Sequence, residues 1–357
     1  MDILLIEPLI PEATAWLEAR HRVSMRPELA GDPDGLRAAV RGVRSVVLPR
    51  KAVVTQDFLA AAPDLVAVAR MHVGTDNTDL EACRARSVRV IHASSASVRS
   101  NAEYLLASLL ALSRRGIGSA LAGQRHAEIR LGRELQGSVV GLLGLAPTAH
   151  TLAAMLRGLG VSLIGYDPAI HYSSPMWQRL KIQPVGLNEL VAFSDAICVQ
   201  VPYASRYSGF VNDKLLAHCK PGQLWTSISR SSFFDADALA RALADGRIEG
   251  CMIDGAEAGF AAKGTPLHDA NNLYLTPRLG SHTREARRRA SWYVAHRIHE
   301  ALGAPAHDHP NGWTPPVSAG NAGEEGMGLD PRCAPRWTPS EPHPFSLEGA
   351  EAARAGL

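Results

Sequence analysis

The stretch of this chain best equipped for chemistry runs from Val139 to Asp167. Gly144 follows the apolar run Val139–Leu143, which is too short for a helix and suits a buried strand. Pro147 and Thr148 lead into Ala149, Leu152, Ala153 and Leu156, which share one helical face. Gly158 and Gly160 stop that helix, and a second apolar run, Val161 to Tyr166, delivers Asp167. Strand, tight turn, helix, strand and an acid about 20 residues on is the layout of a dinucleotide-binding βαβ unit. A glycine turn lets the backbone approach a pyrophosphate, and a helix N-terminus offers N–H groups and a positive dipole end. The acid accepts hydrogen bonds from an adenosine ribose and repels a 2′-phosphate, which favours NAD over NADP. The fingerprint Gly-x-Gly-x-x-Gly is altered here to Gly144-Leu145-Ala146-Pro147-Thr148-Ala149. Ala146 puts a methyl group where the pyrophosphate comes close. Pro147 has no N–H to donate, although proline suits a first helical turn. The same layout also describes an ordinary α/β crossover that binds nothing.

The elements that must position this unit follow one rhythm. Short apolar runs at Ile3 to Ile6, Arg22 to Met25, Ser45 to Leu48, Leu65 to Ala69 and Val88 to Ile91 predict strands. Helices are predicted between them at Glu12 to Ala19, Pro33 to Val40, Gln56 to Ala61 behind an N-capping Thr55, and Leu80 to Ala85. Val98 to Ser113 reads as a helix apolar nearly all round, hence buried between domains or subunits. Residues 116–136 are polar and carry glycine, an arm or loop. Further strands are expected at Ile197 to Val201, Leu224 to Ile228, Cys251 to Ile253 and Leu273 to Leu275. Asp235 or Asp237 caps the helix through Leu243, and a last helix runs from about Arg284 to Leu302. The alternation predicts an α/β protein of parallel sheets with helices on both faces.

The 357 residues are 46% hydrophobic and 20% charged, which suits a two-domain soluble protein. A net charge of +2 gives no electrostatic case for nucleic acid or a membrane surface. Cys83, Cys198, Cys219, Cys251 and Cys333 are scattered, with no Cys-x-x-Cys pair. That pattern argues against a disulfide framework or metal site and fits a reducing cytoplasm. The N-terminal MDILLIEPLI lacks a basic region and a cleavage site, and reads as a first strand rather than a signal peptide. Nine prolines and eight glycines fall in residues 303–357, so residues 305–357 are expected to form a disordered tail.

Several short motifs occur together and in order: Val73-Gly74-Thr75-Asp76-Asn77-Thr78-Asp79-Leu80, Asn101-Ala102-Glu103, the βαβ unit ending Tyr166-Asp167-Pro168, and Val201-Pro202. Lys220-Pro221-Gly222, Ser229-Arg230, Asp254 and Thr276-Pro277 complete the series. Over residues 1–304 the chain resembles the D-isomer-specific 2-hydroxyacid dehydrogenases, the family that includes D-3-phosphoglycerate dehydrogenase. The resemblance implies two Rossmann- or flavodoxin-like domains with a cleft between them. Residues 1–96 with 285–304 would form the substrate domain and residues 97–284 the NAD-binding domain. It also implies a homodimer with the helix from Val98 to Ser113 near the contact.

The family moves a hydride between NAD and a small 2-hydroxy or 2-oxo acid. By resemblance, Arg230 holds the substrate carboxylate by a bidentate contact, helped by Val73, Gly74 and Lys51 of the substrate domain. Gly144, Pro147, Thr148, Asp167, Val201, Pro202, Ile228, Ser229, Asp254 and Gly280 fall at cofactor-contacting positions. Two family residues are missing: the proton-exchanging histidine after Thr-Pro is Arg278, and its partner glutamate is Gly259. Arginine cannot give up a proton at neutral pH, so Arg278 is expected to bind an anion opposite Arg230, partly balanced by Glu257. His72, at a family glycine position, and His282 are substitutes for the histidine or plain structural residues. Arg50-Lys51 is a distal anion-binding pair or a solvated one. Two functions follow: an NAD-dependent oxidoreductase with altered proton handling, or a non-catalytic NAD(H)-binding sensor or interaction protein on the same fold.

Overall fold

In the computed structural model, residues 1–72, 74, 77–115, 131–202 and 204–303 are described. Val73, most of the expected arm at 116–136 and the expected tail at 305–357 lie outside the described residues.

The N-terminal runs fold as β1 (Ile3–Leu5), β2 (Val23–Met25), β3 (Ser45–Val47), β4 (Ala67–Arg70) and β5 (Arg89–His92). They make a parallel sheet in the order β2-β1-β3-β4-β5. Between them lie α1 (Pro11–Glu18), α2 (Pro33–Ala39), α3 (Gln56–Ala61) and α4 (Leu80–Ala85). The short helices start where side chains satisfy open N–H groups: Thr55 Oγ1 accepts from Phe58 N, and Asp79 Oδ1 accepts from Ala82 N.

A second parallel sheet is built from β6 (Val139–Leu143), β7 (Ser162–Tyr166), β8 (Gln183–Pro184), β9 (Ala196–Val199), β10 (Gln223–Ser227), β11 (Ile248–Asp254) and β12 (Leu273–Thr276). Its order is β12-β11-β10-β9-β6-β7-β8. It is preceded by α5 (Val98–Ser113) and flanked by α6 (Pro147–Arg157), α7 (Pro175–Leu180), α8 (Leu187–Phe193), α9 (Asp213–Leu216) and α10 (Ala236–Ala244). Asp235, not Asp237, caps α10, accepting from Ala238 N at 2.8 Å.

One face of α5 is buried, through Ala102, Leu105, Leu109 and Leu112, in a core shared with Val140, Leu142, Leu152 and Leu156. Each such leucine contributes about 1.5–3 kcal/mol by leaving water. The last helix, α11 (Arg284–Ala301), crosses back to the first sheet. Its Ala290, Val294, Ala295 and Ile298 join Ile3, Leu5, Leu17 and Val47.

The apolar runs located the strands but misjudged some ends. β4 extends to Arg70, a fully buried cation. Its guanidinium donates to Thr78 Oγ1 at 2.9 Å, Pro49 O at 3.0 Å, Ala52 O at 2.9 Å and Asn77 O at 3.1 Å. One buried arginine thereby ties the loop after β3 to the loop after β4. β8, α7, α8 and α9, of two to seven residues, are additional to the expected elements.

Candidate active site

The turn after β6 is set by Gly144, whose φ of +90° favours glycine. A Cβ there would stand 3.3 Å from the Gln200 backbone and the Val201 side chain. Gly144 N donates to Tyr166 O at 2.9 Å, and Gln200 Nε2 donates to Gly144 O at 2.9 Å. Asp167, at the end of β7, receives Leu145 N on Oδ2 at 2.7 Å and Ala169 N on Oδ1 at 2.9 Å. A carboxylate has about four acceptor sites, so room remains for ribose hydroxyls. At the start of α6, Pro147 has no N–H and Ala149 N turns back to Ala146 O at 2.7 Å. The Thr148 amide is what this first turn keeps for a phosphate. These residues fit NAD, with one donor fewer than an unaltered glycine loop.

β9 and β10 end beside this turn. Ser229 N donates to Ser227 Oγ at 3.0 Å, and Ser229 Oγ donates to Val201 O at 2.8 Å, locking the two strand ends together. Arg230 follows at once and, with Val201, Pro202, Ser229 and Phe233, lines a shallow depression. Ile228 is half-buried behind it.

Asp254 closes β11 as a buried hub. It accepts from Thr276 Oγ1 at 2.7 Å, Leu279 N at 2.6 Å and Gly280 N at 2.9 Å. Tyr104 of α5 adds its hydroxyl to Thr276 at 2.6 Å, and burial first of all pushes that phenol upward. A Cβ on Gly280 would meet the Asn101 and Asp254 side chains at 3.0 Å, so a larger residue there would crowd both. Asp254 and Gly280 thus hold the segment that presents Arg278.

The structure corrects one expectation. Glu257 does not balance Arg278. Its carboxylate takes the Ser231 hydroxyl and Ser232 N, the latter at 3.2 Å, and lies 3.9 Å from Arg230 Nε. Ser231 Oγ in turn accepts from Glu257 N at 2.9 Å. Burial works to raise the Glu257 carboxyl, but these hydrogen bonds and the Arg230 charge outweigh it and hold it below the usual carboxylate range. Gly259, the expected place of a partner acid, lies exposed at φ +91° with open space around it. A glutamate there would be strained, so position 259 offers no seat for a group that orients residue 278.

Arg278 itself is exposed in a left-handed conformation, φ +55°, its N–H donating to Thr276 O at 3.0 Å. Its side chain lies over Gly255, where a Cβ would come within 2.2 Å of its Cγ. His282 is exposed, and so is Lys51, while both ring nitrogens of His72 are buried. Gly74 is half-buried in the segment after β4. Sequence reasoning missed Arg70, Tyr104 and the Ser231–Ser232–Glu257 knot. The one available signal was a charge at the end of an apolar strand run.

Comparison with known proteins agrees with this geometry. The family model for the D-isomer specific 2-hydroxyacid dehydrogenase NAD binding domain matches residues 106–280. The (S)-sulfolactate dehydrogenase of Chromohalobacter salexigens is 31% identical over 308 residues, covering 85% of this chain and 99% of that protein. A D-3-phosphoglycerate dehydrogenase of Mycobacterium bovis is 33% identical over 303 residues, 84% of this chain and 56% of that protein. The chain therefore spans about half the length of the phosphoglycerate dehydrogenase it matches. Among solved structures, a Thermus thermophilus protein superposes with a TM-score of 0.74 at 25% identity, covering 86% of this chain and 99% of that one. The parallel sheets, the strand-end turn and these matches define an NAD-binding α/β dehydrogenase fold. The chain belongs to the D-isomer-specific 2-hydroxyacid dehydrogenase family.

Proposed function

We propose that the protein is an NAD-dependent oxidoreductase that interconverts a small 2-hydroxy acid and its 2-oxo acid. The observation that carries this reading is Arg230 at the carboxyl end of β10, locked by Ser229 to Val201 in the same strand-end row as the Gly144 turn and Asp167. Bound NAD(H) supplies or accepts the hydride. Gly144 gives the pyrophosphate its approach, Pro147 and Thr148 start the helix beneath it, and Asp167 takes the ribose. Val201, Pro202, Ile228 and Ser229 border the dinucleotide, while Asp254 and Gly280 shape the far rim. Arg230 holds the substrate carboxylate, and Arg278 polarises the 2-oxo oxygen without exchanging a proton. Val73, Gly74 and His72 cover the substrate from the other side.

Two relatives are named for acids that carry a second anionic group. Lys51, exposed after β3, is suited to such a group, which supports a substrate of that class. The working unit is a homodimer with α5 near the contact, where Leu110 is 40% exposed, and the location is the cytoplasm. Among the described residues no helix is long and apolar enough to cross a membrane.

The test is NADH and NADPH titration of the purified chain, followed by a panel of 2-oxo acids with NADH absorbance as readout. Tighter NADPH binding, or no turnover with any acid, overturns the assignment. A second reading, an NAD(H)-binding sensor, is favoured by the Glu257–Arg230 pair and by Arg278 and Gly259 at the missing positions. It predicts NADH binding without turnover.

A further inference from the structure

Arg278 holds a left-handed backbone conformation, which a residue with a side chain keeps only where its surroundings enforce it. Much of the enforcement comes from Thr276, the last residue of β12. Its carbonyl accepts from Arg278 N at 3.0 Å and from Gly255 N at 2.6 Å. Gly255 is also the residue over which the Arg278 side chain lies. One carbonyl thus anchors both the backbone of Arg278 and the floor beneath its side chain. On the other flank, Leu279 N and Gly280 N donate to Asp254 at 2.6 and 2.9 Å.

The Thr276 hydroxyl is fixed as firmly as its carbonyl. It donates to Asp254 Oδ1 at 2.7 Å. A threonine hydroxyl has one hydrogen, so the 2.6 Å contact with Tyr104 runs from the phenol to Thr276. Tyr104 O–H, Thr276 O–H and the Asp254 carboxyl therefore form a one-way chain in which each bond polarises the next. The donor is set by α5, whose Asn101 and Tyr104 lie one turn apart against the segment 276–280. A Cβ on Gly280 would stand 3.0 Å from Asn101 Oδ1 and 3.4 Å from the Tyr104 ring. Burial before all else pushes the Tyr104 phenol upward, so it keeps its proton to donate at neutral pH.

Resting on the oxidoreductase reading, we propose that Tyr104 is a positioning residue: its hydroxyl, acting through Thr276 and Asp254, sets the place from which Arg278 meets the 2-oxo oxygen. The phenol acts on the arginine's seat and not on the substrate. Without its hydrogen bond, Thr276 keeps only the Asp254 contact on its side chain, and the segment that carries the left-handed arginine loses its tie to α5.

The experiment compares the intact chain with Tyr104→Phe, Arg278→Ala and the two combined. Tyr104→Phe keeps the ring and removes only the hydroxyl. It is expected to lower kcat for 2-oxo acid reduction by about 3–30-fold, the size of effect that residues in one hydrogen-bond network show on one another. In the Arg278→Ala background the same change is expected to alter kcat by less than about twofold, because the group it aims is gone. A general structural role costs the same in both backgrounds. A second readout needs no turnover. Hydrogen exchange over residues 276–282 is expected to quicken in Tyr104→Phe, at the amides of Arg278, Leu279 and Gly280, while the first sheet keeps the parental rate. A parental kcat in Tyr104→Phe, an equal loss in both backgrounds, or parental exchange over 276–282 overturns the proposal and leaves the oxidoreductase reading standing. A parent that binds NADH and turns over no 2-oxo acid removes the oxidoreductase reading and the task assigned to Arg278 with it.

Discussion

Glu257 stands 3.9 Å from the Arg230 guanidinium. The pair is partly exposed, with Arg230 at 22% and Glu257 at 33% side-chain exposure, so its attraction is screened and modest. On the proposed reading, a substrate carboxylate would share Arg230 with a carboxylate that Ser231 and Ser232 hold in place. Glu257→Gln is therefore expected to tighten binding of oxamate, a stable 2-oxo acid mimic, about 2–5-fold. Calorimetric titration checks this, and weaker binding would mean that Glu257 positions Arg230 rather than competing for it. Arg278 works differently. Its chain is held by the Asp254 hub, but its side chain lies exposed over Gly255.

At the scale of elements, two devices set the strand-end loops. The first turn of α6 presents the Thr148 amide without a donor from residue 147. Pro147→Ala supplies one more N–H at a helix N-terminus, where anions gain from both the hydrogen bond and the dipole. NADH binding should tighten by a few-fold, and an unchanged dissociation constant would show that this turn does not carry the phosphates. The second device is Arg70, which bonds the loops after β3 and β4 from the end of β4. Arg70→Met leaves the Pro49, Ala52 and Asn77 carbonyls without their donor, at about 1–3 kcal/mol for each that stays buried. The denaturation midpoint should fall clearly, and substrate binding by these two loops, which carry Lys51 and Gly74, should weaken with it. A midpoint equal to that of the parent would mean that water replaces the guanidinium.

At the scale of the whole molecule, α11 closes the chain onto its beginning. Trp16 of α1 packs 4.6 Å from the His296 ring and 5.1 Å from the His299 ring. His21 Nε2 meets His299 Nδ1 at 2.8 Å, a bond that needs one ring to donate and the other to accept. Burial, then the neighbouring His299, Arg44 and Arg20, holds the His21 imidazole below its ordinary range, against the pull of Asp2. A depressed histidine means that the unfolded chain binds the proton more readily. Stability is therefore full above about 6.5, the ordinary histidine value, and is lost as pH falls through the lower folded value. Melting temperature should decline over that window, and His299→Gln should flatten the decline. An unaltered slope would place the acid sensitivity elsewhere.

The sequence by itself determined the strand runs, most helix starts, the Gly144 turn, Asp167 and the place of Arg230. Each of these is written locally, in apolar period, capping residue or glycine at a forced turn. The resemblance added the expectation that Arg278 and Gly259 stand at the family's histidine and glutamate positions. Tertiary structure alone decided the pairings. Glu257 joins Arg230, residues 26 and 27 apart from its serine and arginine partners, because β10 and β11 lie side by side with their ends level. Arg70 is spent on carbonyls far from it in the chain. Glu7 is left buried with an unsatisfied oxygen past the ends of β1 and β3, beside a loop that α11, arriving from the other end of the sequence, pins at Pro8. Periodicity reports which face of an element is buried. It is silent on which charge meets which, since that depends on how separate elements are stacked.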